Sequence, residues 1–300
     1  MRILLTGTAG QVGGALLPLL QGRHDVIAPA RAQFDLSKPE ALPGKLDEFR
    51  PDLIVNPAAY TSVDKAEDEA ALAFVVNGKA PAAMAAWAAE RGVPMVQFST
   101  DYVFDGKSRG VWREDDPTGP LSVYGASKLA GEAAVRSAGG PHLVIRTAWV
   151  YAAQGANFMR TMIRLAKERD TLRVVADQFG APTTAATIAS SFIEILERAE
   201  PDLSGSFARA NGLLHLTNSG SASWCDFAGA IITGAQSRGI LLKTTEVVPI
   251  VTAEYPTKAI RPANSLLDLQ RLEEVCGIKP PAWQTALADE LDAYVLRGQS

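Results

Sequence analysis

Cysteine is almost missing from this sequence: among 300 residues only Cys225 and Cys276 occur. Two distant thiols exclude a disulfide framework and a cysteine-built zinc site. They fit a reducing compartment, so a cytoplasmic protein is expected. Histidine is nearly as scarce. His24, His142 and His215 stand in unrelated contexts, and each reads as structural. Long apolar runs are absent as well. No stretch approaches the roughly 20 apolar residues of a membrane span. Ile3–Leu5 is too short for a signal-peptide core and leads straight into glycine, so no membrane contact is expected. Nor does charge of one sign prevail: 29 Lys and Arg against 33 Asp and Glu leave a net charge of −4. That excludes a generally basic nucleic-acid binder, and no nucleic-acid partner is expected.

What is present is an ordinary globular composition, 47% hydrophobic and 21% charged. At about 150 residues per domain, this length suggests two domains. Short apolar runs read as strands at Arg2–Thr6, Asp25–Ala28, Leu53–Asn56, Pro94–Thr100 and His142–Thr147. Between them the first helix runs to Leu20, and helical stretches are expected at Val63–Asn77, Pro81–Arg91 and Tyr124–Ser137. Buried strands alternating with helices imply an α/β fold with a parallel sheet covered on both faces. The second half is less regular. Helices are expected at Phe158–Arg169, Thr184–Arg198, Ser223–Ala235 and Gln284–Leu296, and strands at Leu213–Thr217 and Glu246–Ile250.

Gly7-Thr8-Ala9-Gly10-Gln11-Val12-Gly13 follows the first strand and opens the first helix. Glycines there permit a tight turn and let a dinucleotide pyrophosphate approach the backbone. The helix N-terminus then supplies free amides. An acidic residue about 20 positions past the glycines would hold the adenosine ribose 2′-hydroxyl. This sequence has Ala30 and then Arg31. With no carboxylate to repel a 2′-phosphate and a guanidinium to pair with one, NADPH is the expected cofactor and NADH the alternative. The other reading of Arg31 is an ordinary surface arginine. Asp35 and Leu36 follow, placed to close over the adenine.

Tyr124 and Lys128 are four residues apart, on one face of a helix. An ammonium near a phenol favours the phenolate and lowers the tyrosine pKa from ~10. A tyrosine so tuned exchanges a proton with an oxygen on a reacting carbon. The strand at Pro94–Thr100 ends in two hydroxyls, Ser99 and Thr100, at the edge where open α/β sheets bind ligands. Alternation points them to opposite faces, so only one reaches a substrate.

These segments resemble the extended short-chain dehydrogenase/reductase superfamily and, within it, the dTDP-4-dehydrorhamnose reductase family. The resemblance is carried by Met1–Gly7, Gly10–Gly13, Asn56–Glu67, Ser99–Gly106, Tyr124–Glu132, Arg146–Tyr151, Asp177–Thr183 and Arg261–Ser265. The Asp64-Lys65-Ala66-Glu67 stretch and Ser99–Gly106 are its most specific parts. It implies a Rossmann-like, doubly wound parallel sheet and NADPH-dependent reduction of the C4 keto group of dTDP-4-dehydro-L-rhamnose. By position in the motif, Thr100 is the active hydroxyl and Asp101 lies beside the sugar. Tyr124 gives the proton, and Lys128 lowers its pKa and holds the nicotinamide ribose. Gln11, Val12, Ala58, Ala59 and Tyr60 fall where the family lines the cofactor. Trp149 falls where it contacts substrate, and the alternative is a core tryptophan. Tyr102 reads as a site residue or as core. Asn157, Gln178, Pro182, Thr183 and Arg261 are further positions on the nucleotide side. Arg261 either binds a diphosphate oxygen or orders the Pro262 loop.

Some members of this family dimerise through a magnesium ion held by glutamates. Here the position on the first helix is Ala15, and the surroundings of Thr187 are not acidic. Hard divalent cations need oxygen ligands. The expectation is therefore no metal, and a monomer or a dimer not bridged by metal. Residues 1–150 are expected to form the NAD(P)-binding domain, with 184–198 returning to it. Residues 151–300 are expected to form a smaller C-terminal α/β lobe for a nucleotide-sugar substrate. Two other functions fit the same motifs: reduction of another NDP-4-keto-6-deoxyhexose, or a noncatalytic regulatory subunit of this fold.

Overall fold

The first half of the chain alternates strand and helix in the computed structural model, which describes residues 1–200 and 202–298. β1 (Arg2–Leu5) leads into α1 (Gln11–Gln21). β2 (Asp25–Ile27), α2 (Leu42–Phe49) and β3 (Leu53–Asn56) follow. Then come α3 (Val63–Ala66), α4 (Ala70–Phe74), a π-helical turn at Val75–Lys79 and α5 (Ala80–Arg91). β4 (Met95–Thr100), α6 (Val123–Ser137) and β5 (His142–Thr147) complete this half. The second half holds β6 (Val150–Tyr151), α7 (Phe158–Glu168), β7 (Thr171–Val175), β8 (Phe179–Gly180) and β9 (Thr183–Thr184). α8 (Ala185–Ala199), α9 (Leu203–Arg209), β10 (Leu213–His215), β11 (Ala222–Ser223) and α10 (Trp224–Ser237) come next. β12 (Glu246–Ile250), α11 (Gln270–Cys276) and α12 (Trp283–Gly298) close the chain.

The central sheet has six strands in the order β10-β5-β4-β3-β1-β2, every pair parallel. Its inner strands are apolar on both faces because both faces are covered. Ile3, Leu5, Val55, Val96, Phe98 and Ile145 pack with Leu16 of α1 and Ile188, Phe192 and Leu196 of α8. Leu4, Ile54, Met95 and Val144 pack on the other face with Leu46 of α2, Met84 and Trp87 of α5 and Val135 of α6. A separate core joins Met159 and Ile163 of α7, Phe227 and Ile231 of α10, and Trp283 and Leu287 of α12. Beside it β7 and β12 pair in parallel.

Several segments of the second half return to the central sheet, among them α9 and α11, whose Phe207 and Leu272 join its core. α8 packs along α1, and β10 extends the sheet beyond β5. The single helix expected at Val63–Asn77 is instead α3, α4 and the π-helical turn. The break falls where acidic side chains leave the helix for partners elsewhere. Glu67 accepts from the Val123 amide at 2.9 Å, and Glu69 from the Tyr60 hydroxyl at 2.7 Å. The π-helical turn aims Asn77 sideways, where it bonds both backbone groups of Tyr60 and the Ser127 hydroxyl. No helix among the described residues is long and apolar enough to cross a membrane.

Candidate active site

The parallel strands direct their carboxyl ends to one edge, where the glycine turn follows β1 and Thr100 ends β4. Gly7 has φ +63° and lies so close to β3 that a Cβ would approach the Ala58 backbone to 2.8 Å. At Gly13 a Cβ would stand 2.3 Å from the Gly7 carbonyl oxygen. Only glycine fits either place. α1 begins behind Gly10 with no side-chain cap, so its first amides are left for an anionic group. Beneath this turn the strand ends are tied side chain to side chain. Thr6 donates to Asn56 at 2.5 Å and Asn56 to Gln97 at 2.7 Å, while the Ala58 amide donates back to Thr6 at 3.3 Å. These features fit a dinucleotide: a backbone cradle, free amides, and Ala58, Ala59 and Tyr60 half-buried alongside.

Arg31 stands beyond β2 with its side chain 80% exposed, its Nε 3.7 Å from Asp35 Oδ1. The amide and hydroxyl of Ser37 both donate to Asp35, and the amide above all holds its carboxyl below the ordinary range. Leu36 does not face the cleft. It is buried in the core with Phe34 and Leu42.

Thr100, Asp101, Tyr102, Tyr124 and Lys128 form the second cluster. The Ser122 hydroxyl caps α6 by accepting from the Gly125 amide at 3.2 Å. At Gly125 a Cβ would stand 2.2 Å from the Tyr102 carbonyl oxygen, so the helix is seated directly against the chain leaving β4. The Tyr102 and Tyr124 rings meet edge to face at 5.5 Å. Thr100 donates to Asp101 Oδ1 at 2.9 Å and accepts from the Tyr102 amide at 3.2 Å. Asp101 is 2% exposed, and its Oδ2 has no partner among the described residues. Burial raises its pKa to about 6, against the pull of hydrogen bonds from Ser265 and Thr100. Ser99 projects the other way, its hydroxyl buried and unpartnered.

The electrostatics of Tyr124 differ from the reading of the spacing alone. Burial pushes its pKa up to about 12; the Thr100 hydroxyl works in the opposite direction, and the Asp101 carboxylate adds to the rise. Lys128 does not depress it. The lysine is buried and donates from Nζ to the Phe98 carbonyl at 2.6 Å. Its own pKa falls to about 8 through burial, which the Glu132 carboxylate partly offsets. Desolvation disfavours both charged forms.

On the substrate side, Trp149 adopts φ +49°, and its ring stacks on Trp224 with centroids 3.5 Å apart. Gly180 admits its edge, since a Cβ there would come within 2.4 Å of the ring. One face of Trp149 is thus covered by a tryptophan that the sequence reading passed over. Trp224 follows the Ser223 cap, and nothing local marks it as a partner of a residue 75 positions earlier. Asn157 is drawn into structure. It caps α7, and its amide nitrogen donates to the carbonyls of Ala152 and Gln154 and to Gln11 Oε1. Gln178 bonds Thr252, and Thr183 bonds Ala181 and the Asn218 amide.

Arg261 Nη2 donates to Asp64 at 2.5 Å, and its Nη1 is buried without a partner among the described residues. Asp64 also accepts from the Ala259 amide at 3.0 Å, and Lys258 pairs with Asp68. So α3 and the turn after it grip the 257–265 loop. Asp64 was visible in the sequence only as part of a motif, without a role. Ala15 is half-exposed, and the Thr187 hydroxyl bonds Thr184 and Asn218. No group of three or more His, Cys, Asp or Glu side chains among the described residues is placed to hold a metal ion.

The cluster unites a protonated phenol, a hydroxyl that can bond a carbonyl oxygen, and a lysine, all beside a dinucleotide cradle. Such a set can protonate an oxygen as its carbon is reduced. A family profile described as RmlD substrate binding domain matches residues 1–296. A protein of Burkholderia thailandensis named dTDP-4-dehydrorhamnose reductase is 46% identical over 290 residues, which cover 96% of this chain and 97% of that one. Among solved structures, a dTDP-4-dehydrorhamnose reductase of Clostridium acetobutylicum superposes with a TM-score of 0.89 at 35% identity, covering 99% of this chain and 100% of that chain. Another, from Bacillus anthracis in complex with NADP, gives a TM-score of 0.86 at 32% identity and 99% coverage of both.

Proposed function

The chain belongs to the dTDP-4-dehydrorhamnose reductase family, and from that premise we propose that it reduces the C4 keto group of dTDP-4-dehydro-L-rhamnose to give dTDP-L-rhamnose. NADPH is the cofactor of this reading, and it supplies the hydride when bound. The backbone of Gly7, Gly10 and Gly13 and the amides of Gln11 and Val12 would hold its pyrophosphate, with Ala58, Ala59 and Tyr60 alongside. Arg31 would pair with the 2′-phosphate. Asp35 stands behind Arg31, and Leu36, packed in the core, is not part of the cradle.

The observation that carries the reading is the enclosed pairing of the Tyr124 phenol with the Thr100 hydroxyl at the end of β4. The phenol is protonated at neutral pH, as an ordinary tyrosine of pKa ~10 also is, and a reduction consumes a proton at the new hydroxyl. Tyr124 donates that proton to the C4 oxygen. Thr100 bonds the same oxygen and stabilises its developing charge. Lys128, charged below about pH 8, holds the nicotinamide ribose. The free Oδ2 of Asp101 accepts from a sugar hydroxyl, and the free Nη1 of Arg261 meets a diphosphate oxygen. Tyr102 and the uncovered face of Trp149 line the sugar and thymine side. The two free cysteines and the nucleotide ligands suit the cytoplasm. A monomer, or a dimer without a metal bridge, completes the reading.

The test is NADPH oxidation with enzymatically prepared dTDP-4-dehydro-L-rhamnose, followed by NMR of the product. The expected product has the L-rhamno configuration at C4. Activity only with a different NDP-4-keto-6-deoxyhexose would shift the substrate, and no oxidation with any such sugar would overturn the reaction. Tyr124→Phe is expected to lose turnover and keep ligand binding. Arg31→Ala is expected to narrow the preference for NADPH over NADH, read as the ratio of kcat/KM values.

A further inference from the structure

Thr100 ends β4, and its register partner on β5 is Thr147. Register partners on parallel strands project from the same face, roughly 4.8 Å apart. A second hydroxyl therefore stands one strand spacing from the one that faces Tyr124. Thr147 is 7% exposed, and its Oγ1 has no hydrogen-bond partner among the described residues. A strand offers no preceding turn whose carbonyl the hydroxyl could bond, as a helix would. Leaving a buried hydroxyl unpaired is unfavourable, and valine would fill the same space without that penalty. Packing therefore gives no account of the hydroxyl.

Two other buried hydroxyls lack partners among the described residues, and their places differ. Ser99 pairs in register with Arg146 and projects from the opposite face. Tyr151 lies in the core formed by α7, α10 and α12. Only Thr147 shares the face and the strand end of Thr100. The chain turns away directly after it, at Trp149 with φ +49°, so the end of β5 borders the cleft.

We propose that Thr147 is a second ligand-binding hydroxyl of the active site, bonding a neutral polar group next to the reacting carbons. Resting on the reductase reading, two groups offer that chemistry: the carboxamide of the nicotinamide and a hydroxyl of the hexose. Thr147 binds one of them and orients the pair for transfer.

The experiment compares Thr147→Val and Thr147→Ser with the wild type. Binding of NADPH alone, and of dTDP-L-rhamnose to the NADP-loaded protein, is measured by calorimetry beside steady-state kinetics. The valine variant is expected to weaken one ligand about tenfold, the loss of one neutral hydrogen bond. Its melting temperature is expected to hold or rise, and serine is expected to restore binding. Weaker NADPH binding assigns the carboxamide; weaker sugar-nucleotide binding with NADPH unchanged assigns the hexose. Valine with unchanged binding of both and unchanged kcat/KM overturns the proposal. Because binding is read without turnover, an inactive wild type would sink the reaction and leave the Thr147 result standing. If valine disturbs folding, Thr147→Ala against Thr147→Ser makes the same comparison.

Discussion

Asp101 and Lys128 are ionisable groups with almost no access to water, and each is shifted toward its neutral form. For Lys128 the consequence is kinetic. The ammonium is lost as pH rises through about 8, while Tyr124 keeps its proton to about 12. A single alkaline limb in kcat/KM is therefore expected near pH 8, and Lys128→Arg, charged throughout, should move it out of range. For Asp101 the consequence is stability. Its folded pKa of about 6 lies above the ordinary 3.8, so the folded state binds the proton more readily. Stability is then greatest below the ordinary value and falls as pH rises between the two, by ~3 kcal/mol at most. Asp101→Asn should raise the melting temperature at neutral pH, with the gain vanishing near pH 4 and activity lowered. The residue types of this site were legible from spacing and motif. The direction of the Tyr124 shift was not, because it depends on how Tyr102 and the end of β4 enclose the phenol.

The helix that carries the tyrosine and lysine is held by close backbone contacts and one buried ion pair. Gly125 and Gly131 bring α6 against the Tyr102 and Asn77 carbonyls, where a Cβ would come within 2.2 and 2.1 Å. Glu132, one turn past Lys128, forms a bidentate pair with Arg146 of β5, both side chains 2% exposed. Arg146→Met would leave Glu132 buried without its partner, a loss of about 3–5 kcal/mol in urea denaturation. Arg146→Met with Glu132→Leu should recover most of it. Removing Glu132 should also lower the alkaline limb, since its carboxylate supports the Lys128 charge. Elements with strong local signals stand where the sequence puts them: β3 at Leu53–Asn56, β5 at His142–Thr147 and β12 at Glu246–Ile250. α2, α9, α11 and β7 were not anticipated. α2 holds Pro43 and Gly44, α9 and α11 have seven residues each, and β7 is paired only with β12, a strand 75 positions away.

Across the whole molecule, an acidic chain of net charge −4 must receive two anionic ligands. On the proposed reading, local amides and a few placed cations receive them. Arg261 is one such cation, and its guanidinium is held by Asp64. Asp64→Ala should raise KM for the sugar nucleotide by about tenfold and leave NADPH affinity unchanged, since an interfacial charge pair mainly fixes register. Equal loss of both affinities would assign the pair a purely structural task. By itself the sequence determined the parallel α/β sheet, the glycine turn at its first strand, and the helical pairing of Tyr124 with Lys128. Those features are set by periodicity and short spacing, which local sterics and hydrogen bonding enforce. Only the tertiary structure decided that β10 extends the sheet, that Trp224 covers Trp149, that Asp64 holds Arg261, and that burial raises the Tyr124 pKa. Each of these depends on surfaces brought together from distant parts of the chain, and desolvation exists only once they meet.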